Sequence, residues 1–469
     1  MALIDRLRGR VNHETVRAAQ PGPEVDRFAR EQEAAKRSAE YQQLKSRIHN
    51  RLFDHIDLTR FSKVSEARVA QDIAELTRRI LQEEEALLTA DERRRVVSEV
   101  QHEVFGLGPL EPLLQDPLIN DILVNGHSQI YVERSGHLEA TEARFRDDAH
   151  LMRIIEKILT QVGRRVDEST PMVDARLEDG SRVNVIIPPL ALDGPILSIR
   201  RFQEDKLSAE ALIELRSATP EVIRVLEGAV KGRLNLLISG GTGTGKTTLL
   251  NVLSGFVEEN ERIVTIEDSA ELQLRQAHVV RLETRPANVE GRGQIAQREL
   301  VINALRMRPE RIIVGEVRGT EALDMLQAMN TGHDGSLTTI HANSPRDALM
   351  RIETMVAMSG FELPLPAVRA QIASAIDVVV QIERLSDGTR CISSLHEVTG
   401  AEGDAVMMQA IFTLERGGVA EDGSVVRRLV PVGVRPQFCE RLTQAGIQLG
   451  GELFDPQPAG FERPWEGAA

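Results

Sequence analysis

Residues 238 to 255 read ISGGTGTGKTTLLNVLSG. The segment from Gly240 to Thr248 contains Gly240, Gly241, Thr242, Gly243, Thr244, Gly245, Lys246, Thr247 and Thr248, and it fits the pattern GxxxxGK[ST]. The apolar run LNLLI before it has strand length, and TTLLNVLSGF after it suits a helix. Strand, glycine loop and helix in that order make a phosphate cradle. Glycines let backbone N–H groups turn inward without a Cβ in the way, and the helix N-terminus adds partial positive charge. Lys246 is then placed for the β- and γ-phosphates of ATP, and the Thr247 hydroxyl for Mg²⁺.

Downstream of this loop, RIVTIED, ERIIVGE, SLTTIHA and DVVVQIE are near-continuous apolar runs separated by helical or loop segments. That alternation predicts an α/β fold with a buried, largely parallel sheet. In such a sheet the strand C-termini share the ligand-bearing edge. Glu267 closes one apolar run and Glu316 another, so both are expected to converge on the loop as catalytic carboxylates and, with Thr247, as metal ligands. Either alone could simply cap a following helix. His341 ends a third run and His333 precedes it; His341 is a candidate sensor of the γ-phosphate.

The flanking sequence divides by pattern. Residues 1–35 are polar and charged and read as flexible, although Leu3, Ile4, Leu7 and Val11 share a helical face beside Arg6, Arg8 and Arg10. Residues 36–105 read as a helical domain, with Thr89 and Glu92 spaced as a capping box. Residues 106–202 read as an α+β domain: INDILVNG, QIYVER, DARLEDGSRVNVIIPP and PILSIRRF are strand-like, and DDAHLMRIIEKILTQVG is amphipathic. A linker at 203–210 leads to the phosphate-binding domain, 211–415. Residues 416–469, rich in Gly, Pro and charge, read as an appendage or loose tail.

The 469-residue chain is 41% hydrophobic and carries a net charge of −14. That balance, with little interleaving of aromatic and basic residues, argues against nucleic acid as a partner. Cys391 and Cys439 stand far apart with no CxxC, which excludes a zinc module or disulfide framework. No apolar run is long enough to span a bilayer. Against this acidic background, Arg164, Arg165, Arg176, Arg182, Arg200 and Arg201, and later Arg285, Arg292, Arg306, Arg308 and Arg318, are candidates to neutralise phosphate, in the same subunit or from a neighbour.

Four blocks, GGTGTGKTT, IEDSAEL, LRMRPERIIVGEVRG and GHDGSLTTIHANSPRDAL, occur in that order. They resemble the phosphate loop, Asp box, Walker B box and His box of the type II/IV secretion ATPases. INDILVNG, VGRRVDESTPMVDARLEDGSRVN, SIRRF and RPANVEGRGQI further resemble the CpaF/TadA branch, the motors of tight-adherence (Flp-type) pili. The likeness covers roughly residues 100–415. It implies a RecA-like ATPase domain preceded by a PAS-like α+β domain. It also implies a homohexamer at the cytoplasmic face of the inner membrane, bound to platform proteins and acting indirectly on pilin subunits. Carried over by position, Lys246 and Thr247 match the phosphate and Mg²⁺ ligands and Glu316 the water-activating base. Glu267 matches the Asp-box glutamate, and His333 and His341 match the His box. Arg176, Arg182 and Arg200 lie in blocks that supply nucleotide-contacting arginines. Gly315 stands where many Walker B boxes have Asp, and the tetracysteine zinc module of the pilus-extension relatives is absent. A conjugation-type secretion ATPase is the nearest alternative within the family. Outside it stand a nucleic-acid motor and a scaffold that binds ATP without hydrolysing it.

Overall fold

The computed structural model describes residues 41, 44, 45, 47, 48, 51, 52, 66–84, 88–134, 136–177, 179–202, 207–287, 292–403, 405–420 and 423–456. The expectations for residues 1–35, for half of the 203–210 linker (203–206), for part of the RPANVEGRGQI block and for the extreme C-terminus fall outside these.

The strands are β1 (Ile119–Asn125), β2 (Gln129–Arg134), β3 (His137–Ala140), β4 (Met172–Arg176), β5 (Arg182–Ile186), β6 (Ile196–Arg200), β7 (Leu236–Gly240), β8 (Ile263–Glu267), β9 (Val279–Glu283), β10 (Arg311–Val317), β11 (Leu337–His341), β12 (Val378–Arg384), β13 (Arg390–Glu402), β14 (Ala405–Val419) and β15 (Val425–Pro431). They form a six-stranded sheet in the order β3-β2-β1-β6-β5-β4. A second, nine-stranded sheet has the order β15-β14-β13-β12-β7-β11-β10-β8-β9. By contacts the chain forms two compact units. One comprises 1–132, 139–165 and 185–197; the other comprises 133–138, 166–184 and 198–469. The segment 166–184 therefore belongs with the second unit rather than following the change of sequence pattern near 202.

In the first unit, the helices Glu66–Glu83 and Ala90–Val104 enclose a core of Ile48, Leu52, Ile73, Ile80, Val96 and Val100. The Thr89 hydroxyl accepts from Glu92 N and the Glu92 carboxylate accepts from Thr89 N, so the predicted capping box forms. Such a box satisfies two of the donors that a helix start otherwise leaves free. The helix Asp148–Gln161 buries Leu151, Ile154, Ile155, Ile158 and Leu159, the predicted apolar stripe.

In the second unit, β12, β7, β11, β10, β8 and β9 run parallel, and β13–β15 extend the sheet antiparallel. All five residues of both β7 and β8 are buried. Helices cover both faces, which is why these strands read as unbroken apolar runs rather than alternating ones. One face packs on the helices Pro220–Lys231 and Lys246–Ser254, the other on Glu321–Asn330, Pro345–Met358 and Leu365–Ala375. Edge strand β9, half-exposed, has too mixed a sequence to announce itself.

At the N-terminal edge of this sheet, Arg311 is fully buried. It donates to both carboxylate oxygens of Glu261 (2.7 and 2.8 Å) and to the Gly335 carbonyl (3.2 Å). The forked geometry matches a carboxylate bidentately, which a lysine could not do.

The C-terminal segment departs from the sequence expectation. β15 is a full strand of the sheet, and Phe438, Cys439, Leu442, Leu453 and Phe454 join the same core as β7. Only a few apolar residues per turn reach inward, so Gly and Pro dominate the local composition while the packing is continuous with the core. Leu442 is fully buried in this core. Leu442→Ala is expected to lower unfolding stability by about 2–5 kcal/mol. Chemical denaturation checks this: an unchanged midpoint would mean the segment is loosely attached after all.

Candidate functional site

The glycine loop leaves β7 at its C-terminal end. β11 and β12 flank β7 in parallel, so Gly240 lies opposite His341 on one side and Ile382 on the other. A Cβ at Gly240 would sit 2.7 Å from the Ile382 carbonyl oxygen, so only glycine fits. Gly245 has φ +96°, a left-handed conformation, and begins the helix Lys246–Ser254. Lys246 Nζ donates to the carbonyls of Gly240 (3.1 Å) and Gly241 (2.9 Å), and Thr244 Oγ1 donates to Gly241 O. Burial pulls the Lys246 ammonium below its ordinary value; Glu316 opposes this, while Arg318 and Arg200 reinforce it. The lysine thus lies within electrostatic reach of all three, and an anionic ligand on the loop would restore its charge preference.

Glu267 ends β8 and is buried. Its Oε1 accepts from the N–H groups of Glu271 (2.8 Å) and Leu272 (3.0 Å). Its Oε2 is buried without a partner among the described residues. Burial outweighs the two N–H contacts and pushes this carboxyl above its ordinary range. Gly315 in β10 lies against it: a Cβ there would come within 2.9 Å of Glu267 Cγ. The glycine that replaces aspartate before Glu316 therefore makes room for the neighbouring carboxylate. Glu316 is half-buried and pairs with Arg318 Nη2 at 2.7 Å, while Arg318 Nη1 approaches Asp268 at 3.4 Å. The candidate metal ligands Thr247, Glu267 and Glu316 offer oxygen donors only, the chemistry that suits a hard cation such as Mg²⁺.

The remaining candidates separate. His341 closes β11 beside the loop. His333 stands in the turn before β11, at the opposite edge of the sheet. The five-residue strand from Leu337 to His341 lies between them, about 13 Å of backbone. The His333 carbonyl accepts from Ser336 Oγ, a turn-forming contact. The structure does not bring His333 to the phosphate loop, because a period-two strand carries its two ends to opposite edges.

Arg176 and Arg182 are engaged elsewhere than the sequence suggests. Arg176 donates to the Ala270 carbonyl (2.8 Å) and pairs with Glu283; Arg182 donates to the Ser269 carbonyl (2.9 Å) and pairs with Glu271 (3.1 Å). Both clamp the segment that follows Glu267. Arg200 is exposed and has no side-chain partner among the described residues, although its field reaches Lys246. Sequence reasoning also overlooks Arg390, the first residue of β13. Its Cδ lies 3.8 Å from where a Gly245 Cβ would be. Only the pairing of β12 with β7 and β13 carries it there, and no local motif marks it.

Residues 103–414 match the family described as type II/IV secretion system protein, and the chain belongs to that family. Over 337 residues it is 37% identical to the "Putative conjugal transfer protein Rv3659c" of Mycobacterium tuberculosis, covering 71% of this chain and 95% of that protein. It is 35% identical over 307 residues to the "Type IV secretion system protein PtlH" of Bordetella pertussis, covering 60% and 90%. It is 32% identical over 287 residues to the "Conjugal transfer protein TrbB" of Rhizobium radiobacter, covering 60% and 85%. These names stand at least as close to the conjugation-type alternative as to the pilus branch. Among the described residues, no helix is long and apolar enough to cross a membrane.

The raised Glu267 carboxyl gives a pH signature. Native protein holds its proton more tightly than the unfolded chain. Wild-type stability therefore loses this group's contribution as pH rises from the ordinary carboxylate range through the raised native value. Glu267→Gln removes the titration. The stability difference, variant minus wild type, is expected to grow with pH across that window and to stay flat outside it, as measured by denaturant melts from pH 4 to 8. A difference independent of pH would place the group in an unperturbed environment.

Proposed function

We propose that the protein is an ATP-hydrolysing motor of a type IV secretion or conjugal-transfer machine, acting as a homohexamer on membrane-embedded platform proteins. One observation carries the enzymatic part: a glycine loop with Lys246, and two strand-end carboxylates, Glu267 and Glu316, meet at one edge of a parallel sheet. The names of the relatives support the choice of machine.

In this reading Lys246 leaves the carbonyls of Gly240 and Gly241 for the β- and γ-phosphates, and the loop N–H groups hold the α- and β-phosphates. Thr247, Glu267 and Glu316 would hold Mg²⁺, which when bound neutralises charge on the bridging phosphate oxygens. Glu316 orients the attacking water and accepts its proton, exchanging its contact with Arg318 for one with the water. His341, opposite Gly240, stands at the γ-phosphate end. Its contact, and that of Lys246, would be lost on hydrolysis. Loss of those contacts releases the segment beside Glu267 that Arg176 and Arg182 clamp, and this converts chemistry into a change of shape. Arg200 supplies further positive charge to the polyphosphate.

Assembly of tight-adherence pili is a second reading, favoured by the blocks INDILVNG and VGRRVDESTPMVDARLEDGSRVN. Loss of conjugal transfer in a deletion strain with surface fibres intact would support the first; loss of thin surface fibres would support the second. Neither reading needs nucleic acid at the site, consistent with the net charge of −14.

Phosphate release measured against protein concentration, with Mg²⁺ and no nucleic acid, tests the motor reading when molar mass is followed in parallel. Specific activity that rises as a hexamer forms is expected. A species that binds ATP without turnover at any mass would argue for a scaffold. Glu316→Gln is expected to keep ATP binding within about threefold while cutting turnover by about 100-fold or more; normal turnover would remove Glu316 from the base role.

A further inference from the structure

The turn between β12 and β13 presents a cation to the phosphate loop that no motif assigns. Arg390 begins β13, directly across from Arg384 in the antiparallel register. Its Cδ comes within ordinary contact distance, 3.8 Å, of the Gly245 Cβ position. The guanidinium, two bonds further out, is exposed and takes no hydrogen bond or ion pair among the described residues. An unpaired guanidinium beside the residue that opens the loop's helix is available to a ligand.

The backbone beneath it is held firmly. Ser217 Oγ donates to the Arg390 carbonyl at 2.7 Å, and Ile392 N donates to the Ser217 carbonyl at 2.8 Å. The preceding turn is closed by Leu385 N donating to Thr389 O (2.8 Å) and Gly388 N donating to Leu385 O (3.0 Å). Asp387 locks it further: one oxygen accepts from Thr389 N (2.9 Å), the other from Val425 N (2.8 Å). A rigid turn that offers a partnerless arginine pays little ordering cost on binding an anion. By contrast, Arg384 donates to the Gly136 carbonyl at 3.3 Å.

We propose that Arg390 is a nucleotide-contacting residue, donating to the α- and β-phosphates of the nucleoside polyphosphate held by Gly240–Thr248. The loop end at Gly245 cradles those two phosphates, whereas Lys246 serves the β–γ end. Arg390 therefore strengthens binding of both ATP and ADP, because both carry the groups it contacts. This rests on the nucleotide-binding reading of the loop.

The test is equilibrium binding of MgADP and of a non-hydrolysable MgATP analogue to the full chain, by calorimetry or a fluorescent nucleotide. Arg390→Ala is expected to weaken both ligands equally, by about 10- to 100-fold. Arg390→Lys should recover part of the loss. Arg390→Gln, which keeps the stem, should resemble the alanine variant and guards against a packing effect. Arg384→Ala should bind ADP within about twofold of wild type. Unchanged affinity in Arg390→Ala, with Lys246→Ala strongly impaired, would overturn the Arg390 assignment and leave the loop reading intact. Equal losses in Arg384→Ala and Arg390→Ala would reduce the effect to general surface charge and also overturn it. Failure of the wild type to bind either nucleotide would overturn the loop reading, and the Arg390 assignment with it.

Discussion

The parallel pairing of β7 with β11 and β12 is the constraint on which the site depends. Hydrogen-bond register fixes Gly240 between His341 and Ile382, so the loop can leave the sheet only on the edge where the neighbouring strands also end. β10 and β8 continue the parallel run, and Glu267 arrives beside Gly315 without needing any loop to carry it. Strand ends within a close-packed sheet are held by the whole core. Charges placed there keep their spacing far better than charges on loops would.

Around that fixed frame the chain stores unfavourable electrostatics. Glu267 is buried with one oxygen lacking a partner among the described residues, and the half-buried Lys246 ammonium donates to carbonyls. Buried charge is expensive without a counter-ion. Each group is therefore poised to gain when a ligand supplies the missing charge, and the folding energy of the surrounding core sustains the cost. The clamp of Arg176 and Arg182 on the carbonyls of Ala270 and Ser269 ties the backbone next to the less comfortable carboxylate to strands β4 and β5. A change in the state of Glu267 is thereby felt beyond its own strand.

Much of this was legible in the sequence, and the gaps have physical causes. Gly240 to Thr248, the apolar strands and the carboxylates at their ends are local signals, and local signals survive translation into structure. The capping box at Thr89 is of the same kind. The C-terminal segment failed because its contribution to the core, Phe438, Leu442 and Phe454, is spread among turn-forming residues. His333 failed because a motif records sequence spacing, whereas the strand between the two histidines separates them in space. Arg176 and Arg182 were expected in the N-terminal α+β domain as nucleotide contacts. In the structure they pair with Glu283 and Glu271 and donate to main-chain carbonyls, and carbonyl acceptors leave no trace in a sequence. Arg390 is the extreme case, since its neighbour Gly245 is 145 residues away in the chain.

The buried Arg311–Glu261 pair at the far edge of the sheet bears on how such a chain can change over time. Loss of Glu261 strands the fully buried Arg311 guanidinium, at a cost of about 3–5 kcal/mol, whereas loss of Arg311 leaves Glu261 with Arg233 at 3.5 Å. The constraint therefore falls most heavily on exchanges at Glu261 that keep Arg311. An arginine that stays put across descendants of this chain need not touch any substrate. In the segment RPERIIVGE, the arginine five positions before Glu316 serves the fold and not the chemistry.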